Sequence, residues 1–400
     1  MPSHRLSRRE FLKIAGTAAL GSALASCAPA SLPTLTLAPT NTPTLSPSNS
    51  PSPTAKAIPT ITPQPTATPI PNTLRGYADA LGVKIGVMID PRVLERAEVQ
   101  KREFNLGLAT WTWKDQMPEK DQFKPEWMDY LMSFGLSNGM QIRGMHLIFP
   151  QVSPDWLAKK ILSKDEMIEV ISDYITKVVT YCKGKVNQWT VVNEPYIFPY
   201  RQNDIFHRII GAEYIDIAFQ AARKADPSAL LLYNDSDNHT SLGITTQLTK
   251  QIVERLKAKK LIDGVGLQMH LLGLNPPDKK DVIATMKSYG IPVYITEFDV
   301  NMKNVYGNQE ERLITQSQIY KEMLEAALES GVCNSFSIWG VGDKYSWIET
   351  HKSYQHYSPN GDPTPFDDDL KPKPAYFAML DVLKKRYEQR GTSATSTAKP

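Results

Sequence analysis

Eight short apolar runs separated by amphipathic stretches predict a closed (β/α)8 TIM barrel over residues 74–389. The runs are Val83–Ile89, Phe104–Ala109, Gln141–Ile148, Gln188–Asn193, Leu230–Asn234, Gly264–His270, Pro292–Glu297 and Ser335–Trp339. They are largely continuous rather than alternating, which suits strands covered on both faces of a parallel sheet. No hairpin signal joins one run to the next, and eight strand-helix units argue for closure. An open doubly wound sheet ranks lower, because no glycine-rich phosphate loop follows the first run. Roughly 315 residues is an ordinary length for one such barrel with insertions.

The intervening stretches carry helix signals. Ser163 and Glu166 have the spacing of a capping box that opens a helix running through Thr180. From Gly211 to Ala225 the apolar positions Ile215, Ala218, Phe219 and Ala222 form a one-sided stripe. That helix must end before Asp226-Pro227, since proline disfavours helical backbone in its predecessor.

Residues 1–26 read as an address rather than as structure. Arg8-Arg9 precedes a mildly apolar stretch, then Leu24-Ala25-Ser26-Cys27. The stretch is too short to span a bilayer and fits a cleaved export signal. The twin arginines resemble a Tat signal, and the segment ending in Cys27 resembles a lipobox, which implies lipidation at Cys27. More than one acyl chain there would hold the protein stably on the outer face of the cytoplasmic membrane or at the cell surface. Arg5, Arg8, Arg9 and Lys13 against Glu10 account for the entire formal charge of +3. The remainder is balanced, which excludes a polyanionic partner such as nucleic acid and favours a neutral substrate. Residues 27–73 are rich in proline, threonine and serine and read as a disordered spacer; residues 390–400 read as a flexible tail. Cys182 and Cys333 are expected to be free thiols, and the protein is expected to be a monomer.

The chemistry is carried by two strand ends. Glu194 follows Gln188–Asn193, and Glu297 closes Pro292–Glu297. Parallel barrels place reacting groups at the C-terminal ends of their strands. A retaining glycosidase needs one protonated and one ionised carboxyl about 5–5.5 Å apart, and two close carboxylates separate their own proton affinities. Asn193 can hydrogen-bond a sugar 2-hydroxyl. His270 can reach Glu297 from the neighbouring strand, with Asp299 holding the imidazole from its other side. Trp339 and Trp347 offer flat faces for pyranose rings. The seven histidines show no metal-ligand spacing, so neither a metal nor another cofactor is expected.

Several segments together resemble glycoside hydrolase family 10, whose best-known members are endo-1,4-β-xylanases. They are Thr190–Glu194, Tyr233-Asn234-Asp235, Val265–His270, Ile295–Asp299, Trp339–Trp347 and the closing Leu370–Tyr376. The resemblance runs from about Val83 to Leu383 with every motif in order. It implies that Glu194 is the acid/base and Glu297 the nucleophile, supported by His270 and Asp299. It also implies that Asn193, Gln268 and Trp339 line the subsite of cleavage, and it brings in Tyr233 as a further sugar-binding candidate.

Two segments depart from the family pattern. Where the family has a Glu-Asn pair and then a Met-Lys-Trp run, this chain reads Ala109-Thr110-Trp111-Thr112-Trp113-Lys114-Asp115. One register leaves Lys114 as the family's lysine; the other makes Trp113 its tryptophan. An aromatic platform from Trp111 or Trp113 is expected there. Where the family has Gly-His-Thr-Leu-Val-Trp-His, this chain reads Gly144-Met145-His146-Leu147-Ile148-Phe149-Pro150. His146 is one position out of phase, and one position on a strand changes the face; it is kept as a candidate substrate-binding residue beside Lys114 and Trp113. The expected activity is hydrolysis of xylan or a related β-linked polysaccharide. Another β-glycan, transglycosylation, or glycan binding with little turnover are the alternatives.

Overall fold

The computed structural model describes residues 70–196, 204–350 and 361–396. The export signal, Cys27 and the spacer up to residue 69 lie outside the described residues. The strands are β1 (Lys84–Met88), β2 (Leu106–Thr110), β3 (Gln141–Ile148), β4 (Gln188–Asn193), β5 (Leu230–Asp235), β6 (Gly264–Leu267), β7 (His270–Leu272), β8 (Val293–Asn301) and β9 (Cys333–Ile338). All the strand pairings are parallel, in the order β6-β5-β4-β3-β2-β1-β9-β8, and β6 pairs with β8 to close the ring. The closed eight-stranded barrel with helices outside it is the expected fold.

The ninth strand corrects the expected unbroken run Gly264–His270. Met269 has a left-handed backbone (φ 58°), which ends β6 and turns the chain. The short β7 then pairs with the far end of β8, His270 opposite Asp299. β8 is also longer than expected, so Asp299 belongs to the strand rather than to a loop beyond it.

The helix signals are met. Lys164–Cys182 opens with the Ser163–Glu166 capping box. Tyr214–Ala225 buries Ile215, Ala218, Phe219 and Ala222. The final helix runs Pro374–Ser396, so the boundary expected at residue 390 falls inside it. Cys182 and Cys333 are both free.

Most of the apolar core lies between the strands and the surrounding helices, while a small inner cluster joins Leu106, Leu108 and Met145, with Met88 and Trp339 against it. On the inner side near the start of β3, Arg143 is fully buried. Its guanidinium donates to Gln188 Oε1 (2.9 and 3.0 Å) and Ser335 Oγ (2.8 Å) and lies 5.1 Å from the Tyr294 ring centre. Burial pulls its pKa down to about 10, so it remains a cation at neutral pH.

Candidate active site

Glu194 sits one residue past β4 and would face outward if strand alternation continued, because Asn193 already points in. Instead its backbone is left-handed, with φ 48°. That conformation costs a non-glycine residue on the order of 1 kcal/mol or more. Its N–H is satisfied by the Asn234 carbonyl at 3.1 Å. Its Oε1 receives the Gln268 amide at 2.5 Å, and its Oε2 receives the Gln151 amide at 3.0 Å.

Glu297 lies in β8 where the register against β9 shifts between Ile295 and Phe298, and it is 4% exposed. Asn234 Nδ2 donates to its Oε1 at 2.7 Å, and His270 Nε2 lies 3.3 Å from its Oε2. His270 Nδ1 pairs with Asp299 at 2.9 Å, and Asp299 in turn accepts from Trp347 Nε1 at 2.8 Å. The Asn234 oxygen is fixed by Thr296 Oγ1 at 2.7 Å. Gly266 leaves room for this amide, since a Cβ there would come within 2.1 Å of Asn234 Oδ1.

The two carboxylates are joined by a chain of three amides. Gln268 touches both Glu194 and Asn193, Asn193 accepts from Asn234, and Asn234 donates to Glu297. They therefore share one cavity but differ in proton affinity. Burial, reinforced by the charge of Glu297 and partly offset by the Gln268 hydrogen bond, pushes Glu194 up to about 8. Burial also opposes the charge on Glu297, but the imidazoles of His146 and His270 outweigh it and bring that group down to about 2. For His270, burial is outweighed by Asp299 and Glu297, which raise it to about 10. At neutral pH the pair is one acid and one anion, the complementary set needed to protonate a leaving group and attack a carbon.

Of the expected site residues, Glu194, Glu297, His270, Asp299, Asn193 and Gln268 come together here. Trp339 is half-buried and stands nearly perpendicular to the His270 ring (78°), 6.2 Å away. Trp347 is also edge-on to that ring, at 5.1 Å, and its indole N–H holds Asp299. Its position is thus tied to the nucleophile's support.

His146 stays at the site despite the strand count, and three other expectations need correction. His146 does reach the pair, 3.8 Å from Glu297 Oε1. β3 shifts register against β4 between Met145 and Ile148, so Met145 and His146 both face inward and the alternation that would have excluded His146 is broken. Tyr233 is fully buried in the outer core, its hydroxyl on Asp235 at 2.6 Å; the inward residue of that segment is Asn234. Trp113 is 3% exposed and stacks on Tyr174 at 4.1 Å, and Trp111 is 3% exposed with its ring edge-on to Trp189. Neither forms an open platform. Lys114 is engaged at the surface with Asp155 at 2.9 Å.

Sequence reasoning assigned no role to Asn234 or Gln151. The Tyr-Asn-Asp segment drew attention to the first, and strand alternation from Leu232 would have placed it inside. Nothing in the sequence marks Gln151, which reaches Glu194 from another strand's loop.

Comparison with known proteins agrees with this geometry. The profile of glycosyl hydrolase family 10 matches residues 73–382. An endo-1,4-β-xylanase B of Thermotoga neapolitana is 31% identical over 79% of this chain and 93% of its own length. An exoglucanase, XynX, of Acetivibrio thermocellus is 30% identical over 75% of this chain, which spans only 28% of that longer protein. The crystal structure of xylanase 10B from Thermotoga petrophila RKU-1 in complex with xylobiose superposes with a TM-score of 0.73 at 28% identity, covering 79% of this chain and 98% of that one. The chain belongs to glycosyl hydrolase family 10 and is a retaining glycoside hydrolase.

Proposed function

We propose that this protein cleaves xylan or a closely related β-1,4-linked polysaccharide internally, by double displacement. The observation that carries the assignment of roles is the linked pair of carboxyls with opposite proton affinities. Glu297, ionised, attacks the anomeric carbon as Glu194 delivers its proton to the departing glycosidic oxygen. Glu194, now a carboxylate, takes a proton from water, which displaces Glu297 and leaves the anomeric configuration unchanged. His270, held by Asp299, keeps Glu297 in its anionic form and fixes its orientation. Asn193 and Gln268 are placed for the sugar bound at the point of cleavage.

The names of the relatives favour xylan, and one of them, an exoglucanase, keeps glucan as the second reading. Products from a panel of β-linked glycans, followed by NMR from the first turnover, test both. Short xylo-oligosaccharides appearing first as the β-anomer are expected. Cleavage confined to glucans would replace the substrate, and α-anomer products would overturn the mechanism.

Export and anchoring at the outer face of the membrane, through a lipid on Cys27, form part of the proposal. The support is the twin-arginine and Leu24–Cys27 sequence. Expression of the full sequence in the presence of an alkyne-tagged fatty acid should label the processed protein, and Cys27→Ala should abolish the label. Equal labelling of both would remove the anchor.

A further inference from the structure

Glu194 is held unequally on its two oxygens. Oε1 lies against Gln268, a side chain only 2% exposed. Oε2 faces the open side of the cleft, where its partner is the exposed Gln151 at 3.0 Å. With Oε1 enclosed, Oε2 is the atom left to deliver a proton to a leaving oxygen. Delivery requires that oxygen to come within about 2.6–3.2 Å. The Gln151 amide already stands at that distance.

The amide is presented by a short, well-tied turn. Pro150–Val152 forms one 3₁₀ turn after β3, closed by Val152 N–H to the Phe149 carbonyl (3.0 Å) and Ser153 Oγ to the Pro150 carbonyl (3.0 Å). The Phe149 ring lies 5.5 Å from His146, and His146 faces Glu297. A single segment of six residues, His146–Gln151, therefore reaches both carboxyls. It overlaps the stretch Gly144–Pro150 in which the chain departs from the family pattern.

We propose that Gln151 is a positioning residue that caps Oε2 of Glu194 in the empty cleft and is displaced by the glycosidic oxygen when substrate binds. This inference rests on the acid/base role proposed for Glu194. An amide donor on a carboxyl favours the ionised form, so the cap acts on the free enzyme and is gone in the substrate complex. Free enzyme and complex are separable by kinetics: the pH profile of kcat/KM reports the first, and that of kcat reports the second.

The test uses the full chain and an aryl β-xyloside with a poor leaving group. Gln151→Ala should move the basic limb of kcat/KM to higher pH while the basic limb of kcat stays in place. KM should fall about threefold to tenfold, the equivalent of one net hydrogen bond no longer competing with the sugar. Gln151→Glu should move the same limb further upward, because it brings a second negative charge to Glu194. A merely structural role would not separate the two profiles. Unchanged limbs in both variants, with intact thermal melts, would overturn the cap. The parent reading fails in a different way: Glu194→Ala would then retain full activity on the poor leaving group, whatever Gln151 does.

Discussion

Around Glu297 the neighbours are an imidazole pinned by Asp299, a second imidazole and an amide fixed by Thr296. Around Glu194 they are two neutral amides, one buried and one exposed. Glu297 is buried and Glu194 half-buried in the same cleft, and desolvation alone would raise both. The difference between about 2 and about 8 comes from the partners. Cationic and donor groups that are themselves held by further residues stabilise the anion, and amides without a cation leave the desolvation largely uncompensated. One site thus has a side built to keep a charge and a side built to let a proton come and go.

The comparison breaks most sharply at the nucleophile. Glu297→Ala removes the attacking atom, and kcat should fall on the order of 10⁴-fold or more on every substrate, whatever the leaving group. Glu194→Ala should cost about 10²–10⁴-fold on substrates with poor leaving groups. It should cost far less when the leaving group needs no proton, and a Brønsted plot of both variants against leaving-group pKa would show the contrast. In the wild type, kcat/KM should hold between the ionisation of Glu297 near 2 and the loss of the Glu194 proton near 8. A basic limb lying well below 7 would remove the protonated role of Glu194.

Smaller effects sharpen the same contrast. Asp299→Asn leaves His270 with Glu297 as its one remaining anionic neighbour of these two and lowers the affinity of that imidazole for its proton. About a tenfold loss in kcat is expected with KM little changed, measured on xylo-oligosaccharides. Trp113→Phe should leave KM unmoved while lowering stability by about 1–3 kcal/mol, because the indole packs in the core. A rise in KM large enough to weaken sugar binding tenfold would return Trp113 to the cleft. Lys114→Ala, at an exposed ion pair, should change neither the melting temperature nor KM to a measurable extent.

The barrel and the glutamate pair were legible because each rests on a repeated pattern. Gln188–Asn193 and Pro292–Glu297 read as buried parallel strands, and a carboxylate at the end of such a strand stands out from the apolar run before it. His270 beside Asp299 was legible for the same reason, though the break at Met269 that aligns them was not. What escaped the sequence is which way a side chain faces where the period of two fails. His146, Glu194 and Glu297 each sit at a register shift or a left-handed residue. There, counting positions no longer says which face a side chain takes. Trp111 and Trp113 were misplaced for another reason. Aromatic residues satisfy a core and a sugar cleft equally well, and only the positions of Tyr174 and Trp189 decide between them.

Arg143 gives this architecture a polarity along its axis. A guanidinium that remains charged inside the barrel, with neutral Gln188 and Ser335 as its hydrogen-bond partners, contributes a fixed positive potential beneath the catalytic mouth. Arg143 is fully buried, so its potential is screened less than that of a surface charge. The barrel interior thus behaves as a weakly electrified shaft. It favours the negative charge on Glu297, and the same attraction from that anion helps keep Arg143 protonated. The two groups make no contact, and each favours the other's charged state only by a small margin.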